Sequence, residues 1–518
     1  MNSWLRNPAR IFCLILVWRV FLLIFTAQPI PANDAFGYDG GVVNYLHGGG
    51  YCNPSFAIVF PISGKEMYAT YPPLYQAALF VWMKLFGTSV IAAMSLHLVL
   101  FAISGFLTLV IVKRFFPASA SGGVIAWLFF GFTFGDRPES LAYLFGLAAL
   151  WLTAKQISER GGRLTTMAGL TLTLLLGLYT SVLVGAYFFG VGFLACAIAY
   201  FWRRQLHWFV SYAVAAILFA VIALCIAKLE PRWWAGFQES AQQQTVAFIG
   251  FHKPYGSDLL KLARTAPLFL VGLVFLPVIL TRRQDVFSGE PVWLALCVGI
   301  FVAGWGLLVA ALTLLSSNYV NFVMFTQILF AAGLLALVQK YLPAREKMLR
   351  AVLVGCVLVV SIRAIGMTTW GVACAFHNSY RSTQITLHDE LGPFTQANAP
   401  VLLSSAFLYQ AEDLGVKNPV HCDWYFDHAR WTNNAELNGL ALLRPPRIIL
   451  TQFDYYRGFA PVLEQLAQHP ELAEFQVRNL AVVRPPDAIP ALSRIVQHVS
   501  WAPVIVDINW KNRPAAAP

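Results

Sequence analysis

Long apolar runs recur through most of this chain, and they constrain its fold more than any other feature. Most of the runs approach the roughly 20 apolar residues that a helix needs to cross a bilayer. Charged residues make up only 12% of the 518 residues, about half the share found in a soluble globular protein. A bilayer is therefore the expected solvent for most of the chain. The predicted spans are 10–28, 89–113, 121–135, 139–156, 165–182, 184–201, 208–228, 266–281, 291–315, 318–338 and 350–371.

The apolar runs stop near residue 372, and the residues that follow have ordinary polarity. Short strand-like runs there alternate with helical segments such as 459–469, which favours a small α/β domain. The strand-like runs are 401–405, 447–452, 475–483 and 504–508. The predicted fold class is an all-α polytopic membrane body of about 11 transmembrane helices (1–372) with a small C-terminal α/β domain (373–518).

The basic residues indicate the orientation of the chain in the membrane. The formal net charge is +11, yet Lys and Arg occur in short clusters between apolar runs. This pattern marks the cytoplasmic side of a membrane protein and argues against a nucleic-acid partner. With a cytoplasmic N-terminus and an odd number of spans, the C-terminal domain is extracytoplasmic. Two long loops, 29–88 and 229–265, also face outward.

The first outward loop carries the strongest candidate for chemistry, Asp34. This carboxylate follows the first span within a few residues, so it is expected at the membrane surface, where a general base would be well placed. A purely structural role is equally well supported by the residue alone: Asp34 and Asn33 would cap a short helix over 37–47. The neighbours of Asp34 favour the first alternative.

Those neighbours include Tyr38, Leu46, Gly49 and the segment 71–75, which reads Tyr-Pro-Pro-Leu-Tyr. With Asp34 they resemble the GT-C superfamily of membrane glycosyltransferases, in particular the branch of protein O-mannosyltransferases and aminoarabinose transferases. Many members of that branch have a second acid directly after the aspartate, whereas this chain has Ala35. Two alternatives are open for Asp39: it replaces that second acid, or it is a solvated side chain.

The resemblance implies an inverting glycosyltransferase of the plasma (inner) membrane, with Asp34 as the general base. The donor is expected to be a sugar on a polyprenyl phosphate, held among membrane lipid, and the acceptor an extracytoplasmic glycan, lipid or protein. No cofactor is certain; a divalent metal ion is left open, although no carboxylate cluster to hold one is evident in the sequence. The expected substrate-binding residues are Tyr38, Asp39, Tyr71, Tyr75, Arg137, Glu139, His252, Lys253 and Arg363.

Five of these residues are chosen for their charge and position. Arg137 and Glu139 lie in an outward turn, where an arginine can grip a phosphate through several donors; a plain polar turn is the alternative. His252 and Lys253 lie in the second outward loop, whose tryptophans also suit an interfacial aromatic belt. Arg363 lies inside the last span, where a charge is costly and a function or an ion pair is expected.

Two other classes compete with a glycosyltransferase. A multi-span transporter predicts internal repeats and helices broken at mid-membrane depth, and neither is evident in the sequence. A polysaccharide polymerase or ligase typically has its large outward loop late among the spans, whereas the loop with the candidate motif comes first here. A structural scaffold is the remaining alternative.

Overall fold

The structure, a computed structural model, describes residues 7–31, 35–117, 137–159, 163–250, 266–282, 292–313, 323–377, 379–431, 436–479, 497 and 499–511. Its helices up to the predicted domain boundary are α1 (Pro8–Thr26), α2 (Ala35–Leu46), α3 (Pro61–Lys65), α4 (Pro73–Phe86), α5 (Val90–Phe115), α6 (Glu139–Ser158), α7 (Leu164–Thr180), α8 (Val182–Arg203), α9 (Val210–Leu229), α10 (Pro231–Gly250), α11 (Pro267–Arg282), α12 (Val292–Thr313), α13 (Met324–Tyr341) and α14 (Glu346–His377).

The apolar runs of the sequence form helices as predicted, and the chain is a multi-pass membrane protein with a small C-terminal sheet. Six helices in the described part of the chain are long and apolar enough to cross a membrane, and four shorter helices are also apolar. The predicted span at 121–135 lies outside the described residues.

Small residues allow the membrane helices to pack closely. A side chain at Gly299 of α12 would place its Cβ 2.8 Å from the carbonyl oxygen of Val191 in α8. Lipid supplies no hydrophobic drive for helices to associate, so close van der Waals packing at such positions holds them together. α8 and α12 are thereby fixed as neighbours in the membrane body.

The first outward loop contains the helices α2, α3 and α4 and a short 3-10 helix at Pro54–Phe56. Three glycines of α2, at helical spacing, allow this packing. A Cβ at Gly40 would lie 2.5 Å from the Asn53 side chain, and a Cβ at Gly41 would lie 2.8 Å from the Tyr68 ring. At Gly37 a Cβ would lie 3.0 Å from the ring of Phe56. The glycine face of α2 therefore lets the loop close against the helix that follows Asp34.

The second outward loop differs from its prediction, because residues 231–250 form the helix α10. No clear apolar run occurs there in the sequence. Gly236 approaches Ala69 and Ile62 of the first outward loop, and the Glu239 carboxylate accepts a hydrogen bond from the backbone N–H of Ile62 at 3.2 Å. Tertiary contacts, more than hydrophobic periodicity, thus define this helix.

The C-terminal part contains a five-stranded sheet in the order β2-β1-β3-β5-β4. The strands are β1 (Val401–Leu403), β2 (Pro419–His421), β3 (Arg447–Leu450), β4 (Ala473–Asn479) and β5 (Val504–Trp510). β1 is parallel to β2 and β3, whereas β5 is antiparallel to β3 and β4. Four strands match the predicted runs, but β2 was missed because its three residues are too short for an alternating pattern.

Helices surround this sheet, so the small α/β fold predicted for the C-terminal part is confirmed. They are α15 (Tyr380–Leu391), α16 (Ser405–Leu414), α17 (Cys422–Trp431), α18 (Glu436–Leu443), α19 (Gln452–Asp454) and α20 (Ala460–Ala467), with a π-helix at Tyr455–Phe459. α16 begins directly after β1 and α17 directly after β2.

Four charged side chains form a charge quartet on this part of the chain: Glu390, Arg447, Arg478 and Asp507. Arg478 donates both terminal nitrogens to the Glu390 carboxylate, at 2.6 and 2.9 Å. Asp507 accepts from Arg447 at 2.6 Å and from Arg478 at 2.8 Å. The four side chains are 17% to 36% exposed, so the quartet is in partial contact with water.

The C-terminal part packs directly on the C-terminal end of α1. The indole N–H of Trp501 donates to the carbonyl oxygen of Thr26 at 3.1 Å, and the Gln28 side chain donates to the carbonyl oxygen of Val499 at 2.7 Å. The hydroxyl of Ser405 accepts from the backbone N–H of Phe36 at 2.8 Å. The start of α2 is therefore held between the membrane body and the sheet.

Candidate active site

The first turn of α2 is held by side chains of the loop that follows it. The carbonyl oxygens of residues 36, 37 and 38 accept, in that order, from Asn53 at 3.2 Å, Tyr68 at 2.7 Å and Gln76 at 3.1 Å. All three donors are buried. A buried donor that loses its acceptor costs about 1–3 kcal/mol. This turn, which Asp34 directly precedes in the chain, is therefore fixed in position.

Tyr68 remains a hydrogen-bond donor over the whole physiological pH range. Its side chain is 1% exposed, and burial raises the pKa of Tyr68 well above its usual value. The nearby Tyr51, Tyr71 and Asp39 raise the pKa of Tyr68 further. The neutral phenol keeps its proton and its bond to the backbone of α2.

Arg137 lies against the same turn of α2. Its guanidinium donates to the Tyr38 hydroxyl at 2.7 Å and lies 5.3 Å from the centre of the Tyr38 ring. The Tyr38 ring in turn meets the Tyr71 ring edge to face, with centres 4.6 Å apart. The Arg137 side chain is 25% exposed, so a cation is held in a fixed place with part of its surface accessible.

Glu139 compensates part of the Arg137 charge. One carboxylate oxygen of Glu139 lies 3.3 Å from Nε of Arg137, and the Glu139 side chain is 4% exposed. A buried carboxylate requires such a partner, because the cost of removing it from water is large. Tyr38, Tyr71, Arg137 and Glu139, four of the predicted site residues, are thus brought together; their binding of substrate stays a prediction.

Asp39 is buried, so the alternative that it is a solvated side chain is wrong. It is 1% exposed, and one oxygen accepts from the Tyr75 hydroxyl at 2.8 Å. The other oxygen accepts from the hydroxyl of Tyr409 at 2.5 Å. Tyr409 belongs to α16, 370 residues away in the chain. Two phenolic donors suit a carboxylate, which when ionised only accepts hydrogen bonds.

The hydrogen bonds continue from Tyr75 towards Arg137. The Tyr75 hydroxyl lies 3.0 Å from Nε2 of His97, and Nδ1 of His97 lies 2.7 Å from the Ser140 hydroxyl. The Ser140 hydroxyl donates to the carbonyl oxygen of Arg137 at 2.7 Å. Asp39, Tyr75, His97 and Ser140, together with Tyr409, form what we call the Asp39 network, and it ends on the backbone of Arg137.

The remaining predicted site residues are not placed by the structure. Asp34, His252 and Lys253 lie outside the described residues. Arg363 lies in α14, but its side chain is also outside the description. Over the described part of the chain, no group of three or more His, Cys, Asp and Glu side chains comes together in a way that could hold a metal ion.

Sequence reasoning missed the role of three polar side chains around this site. Tyr409 is too distant in the chain for any local pattern to connect it with Asp39, and Ser140 gave no signal. His97 lies inside the network as a buried imidazole between Tyr75 and Ser140. Arg19, a 7% exposed arginine in α1, was also overlooked; its charge inside an apolar run was the available signal.

Comparisons with solved structures identify the fold. The apo crystal structure of ArnT from Cupriavidus metallidurans matches with a TM-score of 0.51 and 12% identity, over 96% of this chain and 98% of ArnT. The crystal structure of the same ArnT bound to undecaprenyl phosphate matches with a TM-score of 0.53 and 11% identity, over 98% of both chains. No protein-family model and no curated protein sequence gave a match. The chain therefore shares the ArnT fold along nearly its full length.

Proposed function

We propose that this chain, which has the fold of the GT-C membrane glycosyltransferases, transfers a sugar from a polyprenyl-phosphate donor to an extracytoplasmic acceptor. The single observation that carries the proposal is the fixed cation at the start of α2. Arg137 is held between Tyr38 and Glu139, beside the helix that Asp34 directly precedes. A general base and a phosphate-binding cation are the two groups that this reaction most requires.

The donor class follows from the charge and the surroundings of this site. The guanidinium of Arg137 lies next to membrane-spanning helices, where a lipid phosphate would reach it with its tail among the spans. ArnT, which shares the fold, has been crystallised bound to undecaprenyl phosphate. Lys253 and Arg363 are further candidates for contact with the phosphate, and His252 and Tyr71 would line the route to it. Tyr75, which is 0% exposed, would support the site from within the protein.

The proposed reaction is a single displacement at the anomeric carbon. Asp34 accepts the proton of the acceptor hydroxyl, and the acceptor oxygen forms the new bond to the anomeric carbon. The bond from that carbon to the phosphate oxygen breaks, with inversion of configuration. The lipid phosphate leaves with the bonding electron pair, and a fixed cation stabilises the negative charge that develops on it. Asp39 supports the site from within the protein and is not the base.

The orientation belongs to the same proposal. The N-terminus lies in the cytoplasm of a cell with an inner membrane, and α2, α10 and the sheet lie on the outer side of that membrane. In this arrangement residues 1–372 form the membrane body, and residues 373–518 form an extracytoplasmic domain that covers the first outward loop.

The test compares purified variants in a transfer assay with a panel of polyprenyl-phosphate sugars and extracytoplasmic acceptors. We expect Asp34→Asn to lower kcat by about 100-fold or more, the usual contribution of a general base. Glu66→Gln is the matched control, because Glu66 is an exposed carboxylate of the same loop, and it is expected to retain full activity. Full activity of Asp34→Asn would refute the base. Sugar flux across vesicles without transfer to any acceptor would favour a transporter instead.

A further inference from the structure

The Asp39 carboxylate is held by donors from two parts of the chain that are far apart in sequence. Tyr75 reaches it from α4, next to the membrane, and Tyr409 reaches it from α16, next to the sheet. Both hydroxyls belong to side chains that are at most 2% exposed. The α/β part of the molecule therefore contributes a polar group to the interior of the first outward loop.

Two routes connect this carboxylate to Arg137. One is covalent: Asp39 directly follows Tyr38 in α2, and the Tyr38 hydroxyl accepts a hydrogen bond from the Arg137 guanidinium. The other passes through Tyr75, His97 and the Ser140 hydroxyl to the carbonyl oxygen of Arg137. A displacement of Asp39 thus moves the partners of both the side chain and the backbone of Arg137.

We infer that Tyr409 is a positioning residue through which the C-terminal domain fixes Arg137 for phosphate binding. This inference rests on the proposed function for the phosphate, but the mechanical link from Tyr409 to Arg137 does not. The C-terminal domain and the membrane body together complete the site. The hydroxyl of Tyr409 fixes the position of Asp39, and Asp39 fixes the positions of α2 and α4 around Arg137.

The structure offers a substitution that removes this link and little else. Tyr409→Phe deletes one hydroxyl and keeps the ring, which packs edge to face on Phe36 with centres 4.9 Å apart. Tyr425→Phe is the matched control: Tyr425 is a buried tyrosine of the same domain, and its hydroxyl donates to the carbonyl oxygen of Gly439 at 2.7 Å. Both changes remove one buried phenolic hydrogen bond.

Hydrogen exchange tests the mechanical link without any ligand. The amides at the start of α6, where Ser140 N–H donates to Arg137 and Leu141 N–H donates to Pro138, are expected to exchange faster in Tyr409→Phe than in the wild type. In Tyr425→Phe they are expected to exchange at the wild-type rate. A merely structural role for Tyr409 would raise exchange in α16 alone. Unchanged exchange over residues 137–143 in Tyr409→Phe would overturn the inference.

Binding of undecaprenyl phosphate to the full-length protein in detergent then tests the consequence. Tyr409→Phe is expected to weaken binding about tenfold, the effect of a misplaced charge-assisted contact, while Tyr425→Phe binds like the wild type. In an Arg137→Gln background, Tyr409→Phe is expected to cause no further loss, because the residue through which it acts is gone. If the two substitutions instead weaken binding by independent factors that multiply, the inference is overturned.

A wild-type protein that does not bind this lipid would instead refute the donor class in the proposed function. Faster exchange at α6 would still support the link from Tyr409 to Arg137.

Discussion

The Asp39 network and the charge quartet of the sheet solve the burial of polar groups in opposite ways. In the Asp39 network a single carboxylate, 1% exposed, accepts from two phenolic hydroxyls, and an imidazole and a serine hydroxyl extend the network from there. In the charge quartet two arginines and two carboxylates neutralise one another, and the side chains remain 17% to 36% exposed. One arrangement relies on hydrogen bonds in a dry interior, and the other on ion pairs beside water.

The two arrangements differ in how strictly they hold their side chains in place. A hydrogen bond in a dry interior depends steeply on geometry, and a missing partner leaves the other group with its full desolvation cost. Ion pairs beside water are screened and tolerate small movements at little cost. The Asp39 network is therefore suited to hold side chains in defined positions. The charge quartet is suited to stabilise the fold while it tolerates small movements.

Asp39→Ala is expected to have the largest effect on stability. This change removes the acceptor of two buried phenolic hydrogen bonds, and each such loss costs about 1–3 kcal/mol. We expect a total loss of about 2–6 kcal/mol, measured as a fall in Tm of the detergent-solubilised protein, with no dependence on salt. Asp39→Asn keeps one acceptor oxygen and is expected to lose about half as much. An Asp39→Ala protein as stable as the wild type would show that the network is not a stability element at all.

A smaller effect is expected when Arg478→Met removes one arm of the charge quartet. Hydrogen bonds from Arg478 lower the pKa of Glu390, and the charges of Arg447 and Arg478 lower it further. Burial raises the pKa of Asp507, but bonds from both arginines outweigh it, so the net direction is also down. The substitution is expected to cost about 1–2 kcal/mol near pH 7, after allowance for solvent screening.

The pH and salt dependence of this loss distinguish the two regions. Carboxylates with lowered pKa values stabilise the fold above their unfolded pKa near 4, and the contribution disappears as the pH falls through the lowered values. The difference in Tm between Arg478→Met and the wild type is therefore expected to shrink on acidification and also in about 1 M NaCl. If the Tm difference persists in high salt, the charge quartet resembles the Asp39 network, whose stability is expected not to depend on salt.

The last expected effect, which vanishes at acidic pH, is at Glu412 in α16, three residues after Tyr409. Burial raises the pKa of Glu412 to about 7, and the charge of Asp413 adds to the shift. Asp413 is paired with His47 at 3.0 Å. Because the folded pKa of Glu412 lies above its unfolded value, the native state is favoured below about pH 4.5, and this contribution is lost as the pH rises to 7.

Glu412→Gln is therefore expected to be more stable than the wild type at pH 8 by up to about 3 kcal/mol, and equal to it near pH 4. The measurement is Tm as a function of pH, with the exposed Glu464→Gln as the control. Parallel curves for wild type and Glu412→Gln would show that the carboxyl titrates as it would in the unfolded chain.

The sequence predicted the membrane body well because one physical signal dominates there. Apolar runs of bilayer length have few alternatives to a helix, since every backbone polar group must be satisfied within the segment. Ten of the predicted spans coincide with helices from α1 to α14, and the eleventh lies outside the described residues. Where the signal was weak, as in α10 and in the three residues of β2, the prediction was incomplete.

The candidate site could be predicted only in part. Tyr38, Tyr71, Arg137 and Glu139 were chosen from local patterns, and the structure brings them into one cluster. The partner of Asp39 could not be found in this way, because Tyr409 lies in a helix of the C-terminal part that carries no motif. Contacts across 370 residues depend on tertiary packing, for which one sequence carries no periodic signal.

The contacts between Trp501 and the C-terminal end of α1 join two segments that are synthesised far apart in time. Thr26 and Trp501 are 475 residues apart, and ribosomes add about 5–20 residues per second. The end of the first helix therefore waits on the order of half a minute or more after synthesis for its partner. A nascent chain cannot assemble this corner early, so the newly inserted helices remain without a finished site until almost the whole polypeptide has been delivered to the membrane.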